Sequence, residues 1–487
     1  MLFFPTADED FKYFRSQGYD GSINDMHYKA MGDLGYTGSL NDRIHAYLVN
    51  TYGNFYDAMR GLRNGTLTFS LSAYIVNGFD PDFVLDFKNS YYRKGGSDST
   101  LSGTITHARA SSATMTNSSG VLVTVGNNVA RTGHHVYNGS AWVNEGILHE
   151  SEARTNLVTY SNDFNHSTWT KFRVGITENV SGVTGPDGTQ TVDKITPIAT
   201  NEQHRVWYGV SSTAVGETYS AYVKSAGYDY VWVGYYEAPA FKYAIVNLTN
   251  GAVTSSNADN YSVEDVSNGF YRISVTKTTS GSSRYISISP SPTASPTIDA
   301  NGALTYLGDG TSGVYVYGAQ IEAGSTPSSY IPTSGSTVTR AADTLTVPAA
   351  NMPYSSTNMS IQMDGKMTGN NLTHIRWFED ADDAILLETG TNNFTFTQEA
   401  GGTVDTVTGG SFTSGNLLAF NTASRHGSGF INGAISGTAL TANTTPSALP
   451  DLADNNLVLG YDFMGTIAQF RMWDEDLTDS GIAEAST

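Results

Sequence analysis

Between Gly313 and Thr333 the chain shows how it is built. Val314, Tyr315, Val316 and Tyr317 form a β-branched and aromatic run that leads into Gln320-Ile-Glu-Ala-Gly324, and a Pro-bounded extended tail follows from Ser329 to Thr333. A new segment then opens at Val338-Thr-Arg-Ala-Ala-Asp343. Such a strand, turn and proline-limited tail mark the close of one β domain and the approach to the next. The same texture recurs along most of the chain, as short Val, Ile, Tyr and Phe runs bounded by Gly, Asn, Asp and Ser. Many short strands with turn residues between them predict sandwiches or barrels. The length of 487 residues exceeds what one hydrophobic core serves and predicts about three or four domains. The expected fold class is mainly β: tandem antiparallel β-sandwiches preceded by a small α-helical N-terminal region.

Charge and covalent chemistry narrow the function. Twenty-six basic and 46 acidic side chains leave a net charge of −20, a field that repels phosphate backbones and disfavours a nucleic-acid partner. Acidity of this kind also serves solubility alone. The chain has no cysteine, so it carries neither a disulfide framework nor a thiolate metal site. Met1-Leu-Phe-Phe-Pro-Thr-Ala-Asp-Glu-Asp10 lacks a basic region and has only a short apolar run, unlike a secretory signal. No apolar run approaches the roughly 18 residues of a membrane span.

The first 65 residues differ from the rest. Gly18-Tyr-Asp-Gly-Ser-Ile-Asn-Asp25 recurs 17 residues later as Gly35-Tyr-Thr-Gly-Ser-Leu-Asn-Asp42. In each copy a Ser, Ser22 or Ser39, sits where a helix N-cap belongs, with Asp25 or Asp42 three residues on. Ile23, Met26 and Leu34 then follow helical spacing, as do Leu40, Ile44 and Tyr47. Two repeats are fewer than a free-standing solenoid needs, so this head is expected to dock on partner chains. An independent small helical domain is the competing reading.

Four segments are expected: a helical docking region at 1–65, a β-rich linker module at 66–152, a jelly roll at 153–342 and a second sandwich at 343–487. In the second, Leu85-Asp-Phe87, Ile105-Thr-His-Ala-Arg109 and Gly146-Ile-Leu-His-Glu150 resemble a β-rich module of phage structural proteins. In the third, Ile245-Val-Asn-Leu-Thr-Asn-Gly251, Asn268-Gly-Phe-Tyr-Arg-Ile-Ser-Val275 and the Gly313–Thr333 stretch are similar to carbohydrate-binding-like jelly rolls in virion proteins of tailed bacteriophages. In the fourth, Gly429-Phe-Ile-Asn-Gly433, Leu457-Val-Leu-Gly460, Met464-Gly-Thr-Ile-Ala-Gln-Phe-Arg-Met-Trp473 and Asp476-Leu-Thr-Asp-Ser-Gly-Ile482 resemble a concanavalin or laminin-G-like domain. The chain departs from the phage pattern at Arg131-Thr-Gly-His-His135, where related proteins carry an Arg-Phe-Asp-like run.

Motifs for catalysis are missing from the sequence. There is no His-Glu-Xaa-Xaa-His, no phosphate-binding Gly loop and no Gly-Xaa-Ser-Xaa-Gly elbow. His134 and His135 would point to opposite faces of a strand, which suits a surface or interface better than chelation. The densest acidic cluster, Glu379-Asp-Ala-Asp-Asp383, offers Asp380, Asp382 and Asp383 as weak oxygen ligands for Ca²⁺; a solvated hairpin tip explains it as well. No cofactor is otherwise expected.

Aromatic side chains provide the sharper candidate. On Tyr228-Asp-Tyr-Val-Trp-Val-Gly-Tyr-Tyr236 one strand face presents Tyr228, Tyr230, Trp232 and Tyr236, and the other presents Val231, Val233 and Tyr235. The valine face suits a core. With Trp207, Tyr208 and Tyr243 alongside, the first face would form a platform on which sugar rings stack. The competing reading puts these rings in the core or in a subunit interface.

The resemblance implies a non-enzymatic virion protein of tail-fibre, spike or baseplate type, made in the host cytoplasm and carried on the virion surface. Its expected partners are other virion proteins through the N-terminal region, a host surface glycan, and copies of itself in a trimer. A capsid- or collar-bound head fibre and a glycan-degrading tail depolymerase are the alternatives.

Overall fold

The computed structural model describes residues 74–210, 216–279 and 284–487. The helical repeat expected over 1–65, with its docking candidates, lies outside the described residues. Within them strands dominate, and the α-helices are Leu101–Thr104 and Thr478–Ala485. The described strands pair antiparallel and build two sandwiches, the expected fold class.

The first sandwich stacks two six-stranded sheets. One runs in the order Thr170–Phe172, Arg205–Val210, Arg284–Ser291, Tyr230–Glu237, Ala240–Asn247 and Val253–Ser256. The other runs Val174–Thr177, Asp193–Pro197, Gly313–Ala323, Glu217–Ala226, Phe270–Lys277 and Asn260–Asp265. Period-two alternation decides what lies between them: Val231, Val233 and Tyr235 from one sheet meet Tyr219, Ala221 and Val223 from the other, all fully buried. Tyr219 and Tyr235 stack across the core with centroids 5.1 Å apart.

The second sandwich draws on two distant parts of the chain. Its central strand, Met464–Trp473, pairs on one side with Asn358–Gly369. On the other side it pairs with Phe83–Asp86 and, further along, with Ile147–Glu150. In the facing sheet Thr344–Val347 lies between Leu457–Asp462 and Thr106–Ala108. Strands from the described part of the stretch 66–152, expected as a linker module of its own, therefore join the two sheets of the C-terminal sandwich, while Ala113–Thr116 with Leu122–Val125 and His135–Tyr137 with Trp142–Asn144 form separate hairpins. The physical reason is burial. Phe83, Leu85, Phe87 and Ile147 carry apolar surface, and all four are fully buried in one cluster with Met363, Trp377, Phe470 and Met472 from the C-terminal segment. The jelly roll is accordingly an insertion, entered and left through a neck where Arg154–Asn156 pairs with Val338–Arg340.

The neck is pinned by charge. Asp343 accepts hydrogen bonds from Arg109 Nη1 at 3.0 Å, from the Glu150 amide at 2.9 Å and from Arg131 Nη2. Glu150 sits 2.7 Å from Arg131 Nη1 and 3.2 Å from Arg340 Nε, and accepts from both the amide and the hydroxyl of Ser329. All five charged residues are at most 3% exposed. Burial opposes the charged form of Glu150, but Arg340, Arg131 and the Ser329 hydrogen bonds outweigh it and bring its pKa down to about 2. Burial likewise opposes ionised Asp343, yet His107 and Arg131 hold it well below the usual carboxylate range. Beside this hub Arg154 crosses the backbone at Gly324 (φ +112°), where a Cβ would strike the guanidinium.

A second acidic group sits at the far edge of this sandwich. Carboxylate oxygens of Asp82, Asp474 and Glu475 lie within 4.8 Å of one another. Burial and then Asp474 push Asp82 up to about 6, and the same two causes push Glu475 up to about 7. With folded pKa values above the unfolded ones, the folded state holds protons that the unfolded chain has released, so stability falls as pH rises from about 4 to 7. Asp474→Asn is expected to raise stability at pH 8 by about 1 kcal/mol, a gain that disappears near pH 4. Urea titrations at both pH values check this; equal effects at the two would refute it.

Candidate functional site

The aromatic face of the jelly roll is only partly open. Trp232 is 1% exposed, and Tyr228 and Tyr243 are 8% exposed, so these three cannot offer ring faces to a sugar. They are covered by the excursion that ends in Leu304–Leu307, whose Ala303, Leu304 and Tyr306 close a small second core over Trp232, Phe241 and Ile245. Tyr306 locks the cover by donating to the Pro290 carbonyl at 2.6 Å. Tyr208 lies on the opposite side of its strand, in the main core, with its hydroxyl 2.8 Å from Thr159 Oγ1. For these four residues the core reading is the observed one.

Trp207, Tyr230 and Tyr236 remain half-buried. Trp207 and Tyr236 are brought together through Tyr285, which was not a candidate from sequence. Trp207 and Tyr285 have centroids 4.9 Å apart, and Tyr285 and Tyr236 stack at 5.4 Å with an interplanar angle of 6°. The row is flanked by Arg205, whose guanidinium carbon lies 4.8 Å from the Phe241 ring centroid and 5.8 Å from that of Phe172. Arg205 was legible as a member of this face, since it stands two residues before Trp207 on one strand. Beneath the row, Trp232 Nε1 and Ser287 Oγ are buried without hydrogen-bond partners among the described residues.

A cavity of about 90 Å³ lies where the two sandwiches meet. Tyr222, Glu264 and Arg272 enter it from the jelly roll, and His134, Trp142 and Met464 from the other body. His134 Nδ1 accepts the Thr116 amide at 3.2 Å, which leaves the ring proton on Nε2. Burial, reinforced by Arg131, lowers the His134 pKa to about 3, so the ring is neutral. His135 turns away and bonds the Gly133 carbonyl at 2.8 Å, so the two histidines do not converge. None of the cavity residues was nominated from sequence as a site, because they are gathered from segments far apart along the chain.

The acidic candidates do not converge either. Asp380 accepts the Asp382 amide at 2.8 Å and Asp383 accepts the Gly401 amide at 3.2 Å, on an exposed hairpin tip. These contacts turn carboxylate oxygens toward backbone amides rather than toward one point.

No family model matches this chain, and no curated protein matches it. Solved structures with some likeness include the botulinum neurotoxin serotype D binding domain, with TM-score 0.25 and 16% identity over 29% of this chain and 39% of that one. Another is the binding domain of botulinum neurotoxin DC in complex with rat synaptotagmin II, with TM-score 0.24 and 13% identity over the same shares. A third is a heptameric SAP-like pentraxin from Limulus polyphemus, with TM-score 0.22 and 9% identity over 27% of this chain and 70% of that one. The chain spans about 39% of the length of the neurotoxin domains it matches. No helix among the described residues is long and apolar enough to cross a membrane.

Proposed function

We propose that this chain is a non-enzymatic surface protein of a tailed-bacteriophage virion, of tail-fibre, spike or baseplate type, that attaches to host-surface glycan. The observation that carries the attachment reading is the half-exposed row Trp207, Tyr285 and Tyr236, an aromatic ladder left open while its neighbours are capped. Rings of this kind hold sugars through their apolar C–H faces, with phenol and indole groups at the rim. The virion assignment rests on the phage-like motifs in both sandwiches. Residues 1–65 would dock on other virion proteins, and a trimer would let weak sugar contacts act together. No metal is required for this reading.

Host-cell binding and a glycan array test it. Trp207→Ala is expected to weaken attachment about tenfold, the equivalent of roughly 1.4 kcal/mol, and Tyr285→Ala to a similar extent. Undiminished binding by both variants would sink the row as the attachment site. Release of reducing sugars from host polysaccharide by the purified protein would instead favour the depolymerase reading.

A further inference from the structure

The open side of the jelly-roll sheet carries a charge that the fold leaves unanswered. Pairing sets Trp207 opposite Ser287 and Trp232 opposite Ser289, so Arg205, Trp207, Tyr285, Ser287, Trp232 and Tyr236 all project to this side, away from Val206, Ile288 and Val233 in the core. Four polar atoms on it are buried without a hydrogen-bond partner among the described residues: Arg205 Nε and Nη1, Trp232 Nε1 and Ser287 Oγ. The nitrogens can only donate. Buried polar groups are nearly always satisfied by protein, water or ligand, so this side of the sheet calls for an acceptor.

Arg205 is where that acceptor would act. Its guanidinium is bracketed by the Phe241 and Phe172 rings and forms no ion pair among the described residues. The field of Asp299 reaches it, but the Asp299 oxygens are taken up by Gln203 Nε2 and by the amides of Asn301 at 2.9 Å and Ala303 at 3.0 Å. Burial lowers the pKa of Arg205, the mark of a charge held without full compensation. The residue is half-buried, with Nε and Nη1 enclosed and Nη2 left as the outward donor. The charge also touches the row: burial raises the Tyr285 phenol, and Arg205 pulls it back down. A net charge of −20 repels anions only at long range, because salt screens it beyond about 8 Å, so at the row the adjacent guanidinium decides.

We infer that the row takes an acidic saccharide, its sugar ring stacked on Trp207, Tyr285 and Tyr236 and its carboxylate held by Arg205. The inference rests on the attachment reading and narrows it from glycans in general to those that bear a carboxyl group. Such a group, bonded to a ring carbon, lies at the edge of a stacked sugar. The guanidinium stands at that edge, over the Phe241 ring, which packs 5.7 Å from Tyr285 and 5.3 Å from Tyr236. A carboxylate accepts without donating, and its bond to a guanidinium N–H is charge-assisted. Stacking serves neutral and acidic sugars alike, so discrimination between them falls to Arg205.

The test is calorimetric titration of the full chain with matched sugars: sialyllactose beside lactose, and a glucuronate oligosaccharide beside its carboxyl-reduced form, with sulfated lactose as an anion that lacks a carboxylate. At least one acidic member is expected to bind about tenfold more tightly than its neutral counterpart, as a charge-assisted hydrogen bond gives. In Arg205→Gln that preference is expected to fall below about twofold while the neutral member still binds, and Arg205→Lys, which keeps the charge without the planar fork, is expected to retain part of it. Trp207→Ala weakens both members alike. Thermal melts confirm that the variants are folded. Equal binding of acidic and neutral members, preference for the sulfated sugar alone, or a preference undiminished in Arg205→Gln would overturn the inference. If Trp207→Ala still weakens binding in those cases, the row stands without it. Absence of binding to every sugar, or binding untouched by Trp207→Ala, would reject the row and the inference together.

Discussion

Asp343→Asn is expected to destabilise the protein by about 3–5 kcal/mol, the penalty for leaving buried charge without its partner. The substitution keeps the shape of the side chain, removes its negative charge and turns one acceptor oxygen into an NH2 donor, so Arg109 and Arg131 lose their shared anion while Glu150 alone faces Arg131 and Arg340. A fall in the urea midpoint with an unchanged m-value would register the loss. A change below about 1 kcal/mol would show that the hub contributes no net stability. The pH dependence gives an independent reading. Glu150 and Asp343 both have folded pKa values below their unfolded ones, so their contribution is complete above about pH 4.5 and is lost as pH falls through the folded values. For Glu150 the shift from 4.5 to about 2 corresponds to roughly 3 kcal/mol. The wild-type protein is therefore expected to lose stability steeply below pH 4, and Asp343→Asn to show a shallower acid limb.

Residues 343–487 expressed alone are expected not to fold, even though every concanavalin-like motif lies within them. Without Phe83–Asp86 and Ile147–Glu150 the central strand Met464–Trp473 becomes a long apolar edge. The absent Phe83, Leu85, Phe87 and Ile147 side chains remove about 6–12 kcal/mol of burial, at roughly 1.5–3 kcal/mol each. That is comparable with the whole stability of an ordinary domain, about 5–15 kcal/mol. A chain that joins 74–152 to 341–487 across the neck restores both strands, and it is expected to melt cooperatively. The join is short because Thr155 and Thr339 are paired neighbours with hydroxyls 2.7 Å apart. A sharp thermal transition and a dispersed amide spectrum for 343–487 alone would show that the sandwich needs no upstream strands.

The strand Tyr230–Glu237 was legible in its pattern, and its valine side lies in the core. Whether its aromatic side was open depended on residues 297–307, which carry no local sign that they fold back over Trp232. Tyr285 belongs to the row only because its strand lies between those of Trp207 and Tyr236. The hub shows the same division. Arg340 and Asp343 stood in a segment recognised as a boundary, but Arg109, Arg131 and Glu150 were read as parts of a separate module.

Local alternation and turn chemistry, which act within about ten residues, determined by sequence alone that this chain makes antiparallel sandwiches and where many of its strands lie. Tertiary structure decided which strands share a sheet, which rings stay uncovered and where a cavity opens. Those outcomes depend on pairing and burial between residues more than a hundred positions apart, such as Phe83 with Met472 or Arg131 with Asp343. Spacing along a chain does not encode contacts of that range; the cost of leaving apolar surface and charge unpartnered selects them.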